Sequence, residues 1–243
     1  MCGRFTQQRP TAELAELFGA EPLVDDPGPR YNVAPTQDAL VVVERDGVRR
    51  LTTYRWGLIP FWATAASGGP RTFNARSETA PTSPLFRDAL ARRRCIVPVD
   101  GFYEWRREGG RRQPFLFRRR DGGPLALAGL WASWHDPVTG ASTRSFAILT
   151  TRPNDLVGML HDRMPVILEA PAWGRWLAAL PPSRAPGELV GLLEPSPSEV
   201  LEAYPVRPLV NDVQLEGPDL IEPRGAPGEA LRPAVPDATL GLA

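Results

Sequence analysis

Residues 39–54 read Ala39-Leu40-Val41-Val42-Val43-Glu44-Arg45-Asp46-Gly47-Val48-Arg49-Arg50-Leu51-Thr52-Thr53-Tyr54. Two apolar, β-branched runs flank Arg45-Asp46-Gly47, which is the pattern of a hairpin. The same alternation of short apolar run and turn residues recurs downstream. Residues 95–99 and 102–105 read as strands, with Asp100-Gly101 bending the chain between them. Residues 113–118 and 124–130 read as a second hairpin across Asp121-Gly122-Gly123. Residues 145–150 (SFAILT) and 164–168 give two more strands. Helices are few. One spans 11–18, opened by Pro10 and Thr11 and stopped at Gly19. The other spans 171–180, where Trp173, Trp176, Leu177 and Leu180 share one face and are expected in the core. Strands at regular spacing with few helices predict an α+β domain, mainly antiparallel, with peripheral helices.

Residues 21–30 form a Pro- and Asp-rich loop, and Gly68-Gly69-Pro70 marks a flexible one. Neither an internal repeat nor a linker divides the chain. One domain is expected over 1–224, followed by a disordered Pro-, Gly- and Ala-rich tail over 225–243. The 28 prolines predict irregular connections.

The chain has 243 residues, 42% of them hydrophobic, which is enough for a real core. Formal net charge is zero, but the charge is unevenly spread. Residues 44–120 hold 17 arginines against 7 acids, whereas the chain from Ser183 onward holds 4 against 10. The basic middle is either a face for polyanions or a solvated arginine surface. Two cysteines, Cys2 and Cys95, make no disulfide framework. The longest apolar stretch, 125–134, is about half of what a bilayer span needs. Without a signal-peptide pattern, these features predict a soluble intracellular protein in a reducing compartment, with no membrane partner.

The start, Met1-Cys2-Gly3-Arg4-Phe5, carries the most distinctive chemistry. Removal of Met1 leaves Cys2 with an α-amine of reference pKa about 7.7–8.0 beside a thiol near 8.5. Such a pair attacks an aldehyde through the amine to give an imine, and the thiol then closes a five-membered thiazolidine. All 28 basic residues are arginine, so the terminal amine is the only primary amine in the chain. Schiff-base chemistry has nowhere else to occur.

Other polar residues interrupt strand-like runs. Glu104 lies between Tyr103 and Trp105. It is either an outward-facing residue or a carboxyl whose burial raises its pKa for proton transfer. His161 precedes Asp162-Arg163 at a strand entry and is either structural or a proton shuttle. His135 reads as a turn residue, and Cys95 as a buried core thiol. The scattered Cys and His positions do not fit a metal site.

These stretches together resemble the SOS-response-associated peptidase (SRAP) family, the abasic-site processing proteins. The resemblance is carried by MCGRF at 1–5, YNVAPTQ at 31–37, WGLIPFW at 56–62 and FNARSET at 73–79. It continues through RCIVPVDGFYEW at 94–105, AGLW at 128–131, FAILTTRPN at 146–154 and HDRMPVIL at 161–168, with a weaker echo at 210–223. It implies a domain of mixed, mostly antiparallel, twisted and barrel-like sheets. It implies a monomer that binds single-stranded DNA containing an abasic site in the cytoplasm, at the nucleoid. The N-terminal cysteine, matched by Cys2, would crosslink to the aldehyde at C1′. Asn74, Glu104 and His161 match the family's other active-site residues. Asn74 would hold the amine or a sugar hydroxyl, Glu104 would act as general acid and base, and His161 would exchange protons with the sugar oxygen or the departing water. Arg4, Arg76 and Arg163 match arginines near the DNA backbone, and Pro35 and Trp62 match positions that wedge or stack against bases. Neither metal nor organic cofactor is implied. Two other readings remain open: an N-terminal-nucleophile amidohydrolase using Cys2, and a nucleic-acid-binding module in which Cys2 is inert.

Overall fold

A computed structural model describes residues 2–64, 72–179, 186–225 and 230–231. In chain order the elements are β1 (Phe5–Gln7), α1 (Thr11–Phe18), β2 (Glu21–Pro22), β3 (Arg30–Val33), β4 (Asp38–Arg45), β5 (Val48–Trp56) and β6 (Asn74–Arg76). They continue with α2 (Arg87–Arg92), β7 (Arg94–Val99), β8 (Gly101–Glu108), β9 (Arg111–Arg119), β10 (Leu125–His135) and β11 (Ser142–Thr151). The last are α3 (Asp155–Gly158), β12 (Met164–Pro165), α4 (Ala170–Leu177) and β13 (Leu201–Pro205).

The hairpin at 39–54 forms as expected: β4 and β5 pair antiparallel in unbroken register from Asp38↔Arg55 to Arg45↔Val48. Asp46 and Gly47 both take positive φ, 54° and 74°, matching the twist of the flanking strands. This hairpin is part of an eight-stranded sheet ordered β12-β11-β10-β7-β4-β5-β2, with β6 paired to β11. Because β5 also pairs parallel with β11, the five strands β11-β10-β7-β4-β5 close on themselves. The barrel-like core is therefore a closed ring. A second sheet has the order β13-β9-β8-β1-β3.

Side-chain alternation divides the core. Val41, Val43, Tyr54, Val97, Leu127 and Phe146 pack in one cluster with Phe5, Phe102 and Phe117 from the five-stranded sheet. Leu40, Val42, Leu51, Ile96, Ala128 and Ala147 point the other way and bury Phe18 of α1, Leu90 of α2 and Trp176 of α4. Arg94 is buried and ties two helix ends to the ring. Its guanidinium donates to the carbonyls of Leu90 and Ala91 at 2.7 and 2.6 Å, and to that of Trp176 at 2.6 Å.

Several expectations need correction. Residues 113–118 and 124–130 do not form a hairpin. β9 pairs with β8 and β13, while β10 pairs with β7 and β11, so the Asp121-Gly122-Gly123 turn passes the chain between the two sheets. His135 ends strand β10 rather than lying in a turn. The strand expected over 164–168 shrinks to Met164–Pro165, with an isolated bridge from Ile167 to Leu127. In α4, Trp176 and Leu177 are buried, whereas Trp173 is half-buried against Phe18. Leu180 and residues 68–70 lie outside the described residues, as does most of the expected tail. Leu231, within that tail span, packs on the first core cluster and donates its amide to Ala203 O at 2.9 Å.

Asp100 sits where the chain leaves β7 in one sheet and enters β8 in the other. Its amide donates to Thr6 O at 2.9 Å, and its carboxylate pairs with Arg9 Nε at 2.9 Å. This fixes the corner beside β1.

Candidate active site

Cys2 lies three residues before Phe5, the first residue of β1, which is inserted between β8 and β3 in the five-stranded sheet. The pairs Phe5↔Phe102 and Thr6↔Gly101, with Tyr103 N–H donating to Arg4 O at 2.9 Å, set its position along β8. The Cys2 side chain is fully buried in the core cluster that contains Phe5, Trp56 and Phe102. Burial is the larger cause that pushes its thiol pKa up, and the Glu104 charge adds to it. The sulfur is therefore held as a thiol, not a thiolate.

Asn74 opens β6, which runs parallel to β11 with Asn74 opposite Ile148. Its Nδ2 donates to Cys2 O at 2.8 Å. Its Oδ1 is buried with no hydrogen-bond partner among the described residues. An acceptor left open beside the cysteine is a place for an incoming N–H or O–H.

Glu104 lies on β8 and is 3% exposed. Strand alternation turns it to the same side as Phe102, toward Cys2, while Tyr103 and Trp105 face the opposite side. Burial raises its carboxyl pKa; the charge of the amino terminus and then that of His161 pull it back. The sequence left Glu104 either outward or buried, and the fold buries it.

His161 follows α3, whose N-cap Asn154 accepts from Val157 N–H at 2.9 Å. The His161 amide donates to Val157 O at 3.0 Å. Its Nδ1 accepts from Arg163 N–H at 3.0 Å and lies 2.9 Å from Asp162 Oδ1. A cavity of about 320 Å³ has Gly3, the residue after Cys2, together with Arg4, Glu104, Trp105 and His161 in its wall.

The five expected DNA-contacting residues fall in different settings. Arg76 is exposed on β6 and makes no ion pair among the described residues. Arg163 is engaged: its guanidinium donates to both oxygens of Glu78 at 2.7 and 2.8 Å and to Thr150 O at 2.6 Å. Arg4 is buried, and its Nη1 donates to Asn32 Oδ1 at 2.6 Å and to Val210 O at 2.8 Å. Burial lowers its pKa, and it lies 5.9 Å over the Trp105 ring. Trp62 is 60% exposed beside Phe61, and Trp134 Nε1 anchors their loop by donating to Ala63 O at 2.7 Å. Pro35 is half-buried, next to Thr36 with φ 80°. Neither Pro35 nor Trp62 lines the cavity.

The sequence reading assigned no role to three residues that build this site. Asn32 accepts from Arg4 and donates to Asp212 O and Leu215 O, both at 2.8 Å, so it orients the arginine. Glu78 occupies the Arg163 fork, and Trp105 forms cavity wall. All three lie within the stretches that stood out, yet only their partners across the fold reveal what they do.

Residues 1–213 match the family model described as SOS response associated peptidase (SRAP). The chain is 39% identical over 225 residues to the abasic site processing protein YoqW of Bacillus subtilis, covering 91% of this chain and 99% of that one. It is 31% identical over 230 residues to the abasic site processing protein YedK of Escherichia coli, covering 92% and 100%. A crystal structure of a protein from Bacteroides thetaiotaomicron superposes with a TM-score of 0.80 at 26% identity, over 92% of this chain and all of that one. The buried Cys2 at the head of β1, the closed sheet beneath it and these likenesses agree: the chain belongs to the SRAP family.

Proposed function

We propose that this protein processes abasic sites in single-stranded DNA by forming a covalent crosslink through Cys2. Met1 is first removed, and the freed α-amine adds to the C1′ aldehyde of the ring-opened sugar. Loss of one water gives an imine. The S–H of Cys2 then adds across the C=N bond: sulfur joins C1′, the proton goes to nitrogen, and a thiazolidine closes. The amine leads because burial holds the sulfur as a thiol. Glu104, its carboxyl pKa raised by burial, gives and takes the protons of ring opening and dehydration. His161 serves the sugar oxygen from the cavity wall. Asn74 holds the Cys2 carbonyl with Nδ2 and offers Oδ1 to the amine or a sugar hydroxyl.

Arg76 meets the DNA backbone, as does Arg163 once Glu78 yields its fork, and Arg4 supports the strand from the cavity wall. Trp62 and Pro35 stack on or wedge against flanking bases without regard to sequence. The unit that acts is residues 1–224, working as a monomer on damaged nucleoid DNA in the cytoplasm. No helix among the described residues is long and apolar enough to cross a membrane.

The observation that carries this reading is the group of buried Cys2, Asn74 and Glu104 with half-buried His161, at a basic, aromatic-walled cavity lined by Glu104 and His161, in a chain with no lysine. The test is intact mass after mixing with a single-stranded oligonucleotide bearing one abasic site. The expected species is protein lacking Met1, plus DNA, minus one water. Cys2→Ala keeps the α-amine but has no thiol to close the ring, so it should form at most a hydrolysable imine and give no stable adduct, while still binding an oligonucleotide with a tetrahydrofuran lesion, which has no aldehyde. Equal trapping by Cys2→Ala sinks the mechanism.

A further inference from the structure

The five-stranded sheet carries a charge arrangement that its own stability does not explain. Arg107 on β8 stands directly opposite Arg112 on β9. Like charges at such a cross-strand position repel and weaken the strand pair. Other arginines of this sheet are matched: Arg118 pairs with Glu202 at 2.6 Å, and Arg119 with Asp121 and Glu169 at 3.0 and 3.2 Å. Arg107 and Arg112 are both exposed, and neither makes an ion pair among the described residues.

Both arginines line the cavity that reaches Glu104 and His161. They stand on a fixed platform. Trp105 Nε1 donates to Asn211 Oδ1 at 2.6 Å, and Asn211 Nδ2 donates to Arg112 O at 3.3 Å. The Arg112 guanidinium lies 5.4 Å over the Trp105 ring. Its charge is also one of the causes that lower the Arg4 pKa, after burial. Strand alternation places Trp105 and Arg107 on the side of β8 opposite Glu104. The cavity therefore wraps over the edge of β8 beyond its pairing with β1.

We propose that Arg107 and Arg112 clamp one phosphate of the DNA strand that carries the abasic sugar, at a linkage next to the lesion rather than at it. The inference rests on the DNA reading above and adds a binding subsite to it. Opposed cross-strand residues have Cβ atoms about 5 Å apart, so two guanidinium forks converge on one anion. Three residues along β8 separate Glu104 from Arg107 by about 10 Å at 3.3–3.4 Å per residue, which sets the phosphate away from the reacting carbon. An anion between the two arginines cancels the repulsion that the empty sheet bears.

The test compares wild type with Arg107→Gln/Arg112→Gln. The probe is a short single-stranded oligonucleotide with one tetrahydrofuran lesion, titrated at several salt concentrations by fluorescence anisotropy. Affinity should fall about tenfold, and the slope of log K against log salt should become shallower by about 0.7, the value for one single-strand phosphate. Neutral methylphosphonates introduced one linkage at a time should weaken wild type at one linkage where the double variant is insensitive. The variant should melt no lower than wild type, since it sheds a like-charge pair. An unchanged salt slope, or equal sensitivity of both proteins at every linkage, overturns the clamp. Loss of the wild-type covalent adduct on an aldehyde-bearing oligonucleotide, with the slope difference retained, refutes the crosslinking reading and leaves the clamp standing. A wild type that binds neither oligonucleotide refutes both.

Discussion

Asn74→Ala separates the proposed positioning of Cys2 for crosslinking from stability of the fold. Wild-type Asn74 donates to Cys2 O at 2.8 Å and is 9% exposed. Removing the side chain forfeits a hydrogen bond worth about 1 kcal/mol net and leaves the Cys2 carbonyl without this donor, a cost of about 1–3 kcal/mol. The same change deletes Oδ1, a buried acceptor with no partner among the described residues, which relieves a similar cost. The two effects nearly offset, so stability should change by no more than about 1 kcal/mol, or about 2–4 °C in Tm for a chain of this size. The reaction has no such compensation. Cys2 loses a side-chain restraint that orients it, and its amine or the sugar loses an acceptor. A misplacement of about 1 Å costs about a hundredfold in rate. Single-turnover crosslinking to abasic single-stranded DNA should therefore slow about 10- to 100-fold, equivalent to about 1.4–2.7 kcal/mol. Binding to the tetrahydrofuran oligonucleotide should hold. A wild-type crosslinking rate combined with a Tm lowered by more than about 5 °C would refute the reasoning and make Asn74 a structural staple.

Glu104→Gln should slow crosslinking by at least about a hundredfold. It should also erase a limb of the pH–rate profile that lies above the ordinary carboxylate range, because burial raises the Glu104 pKa. A group raised in the fold contributes stability below its unfolded pKa and loses it as pH rises through the folded one. The melting advantage of Glu104→Gln over wild type should accordingly grow with pH across that window, and a pH-independent difference would remove the buried charge from the account. Glu78→Ala should release the Arg163 fork and strengthen single-strand binding a few-fold at low salt; unchanged affinity would show that Arg163 does not reach DNA. Gly129→Ala would place a Cβ 2.7 Å from Cys95 Sγ and 3.3 Å from Val97 Cγ2. It should destabilise the ring by about 1–3 kcal/mol. Adding Cys95→Ala should recover part of that loss in thermal melts, whereas strict additivity would mean the sulfur is not the obstacle.

Much of this molecule is local in origin and therefore legible in the sequence. The 39–54 hairpin follows from β-branched runs around Asp46-Gly47, and α1 from an amphipathic stretch stopped by Gly19 with φ 59°. The burial of Cys95 also follows from its apolar run. What failed was pairing at a distance. Asp121-Gly122-Gly123 looks like any hairpin turn, yet β9 and β10 enter different sheets because β7 and β13 offer longer-range partners. The parallel pairings of β11 with β5 and β6, which close the ring and deliver Asn74, have no local signature. Candidate site residues could be listed from motif resemblance. The partners that tune them, Asn32 for Arg4 and Glu78 for Arg163, emerge only where segments distant in sequence meet.

The pairing of β1 with β8 sets a timetable for the newborn chain. Phe5 waits for Phe102, about a hundred residues downstream, before it has a neighbour on that side. At about 5–20 residues per second, translation takes about 5–20 s to deliver that neighbour. Until then the cysteine next to Phe5 has no glutamate beside it and no walled cavity. This corner is thus assembled late, by closure of a long loop, and an unfinished or truncated polypeptide carries the thiol without the carboxyl and the cavity that the finished fold sets around it.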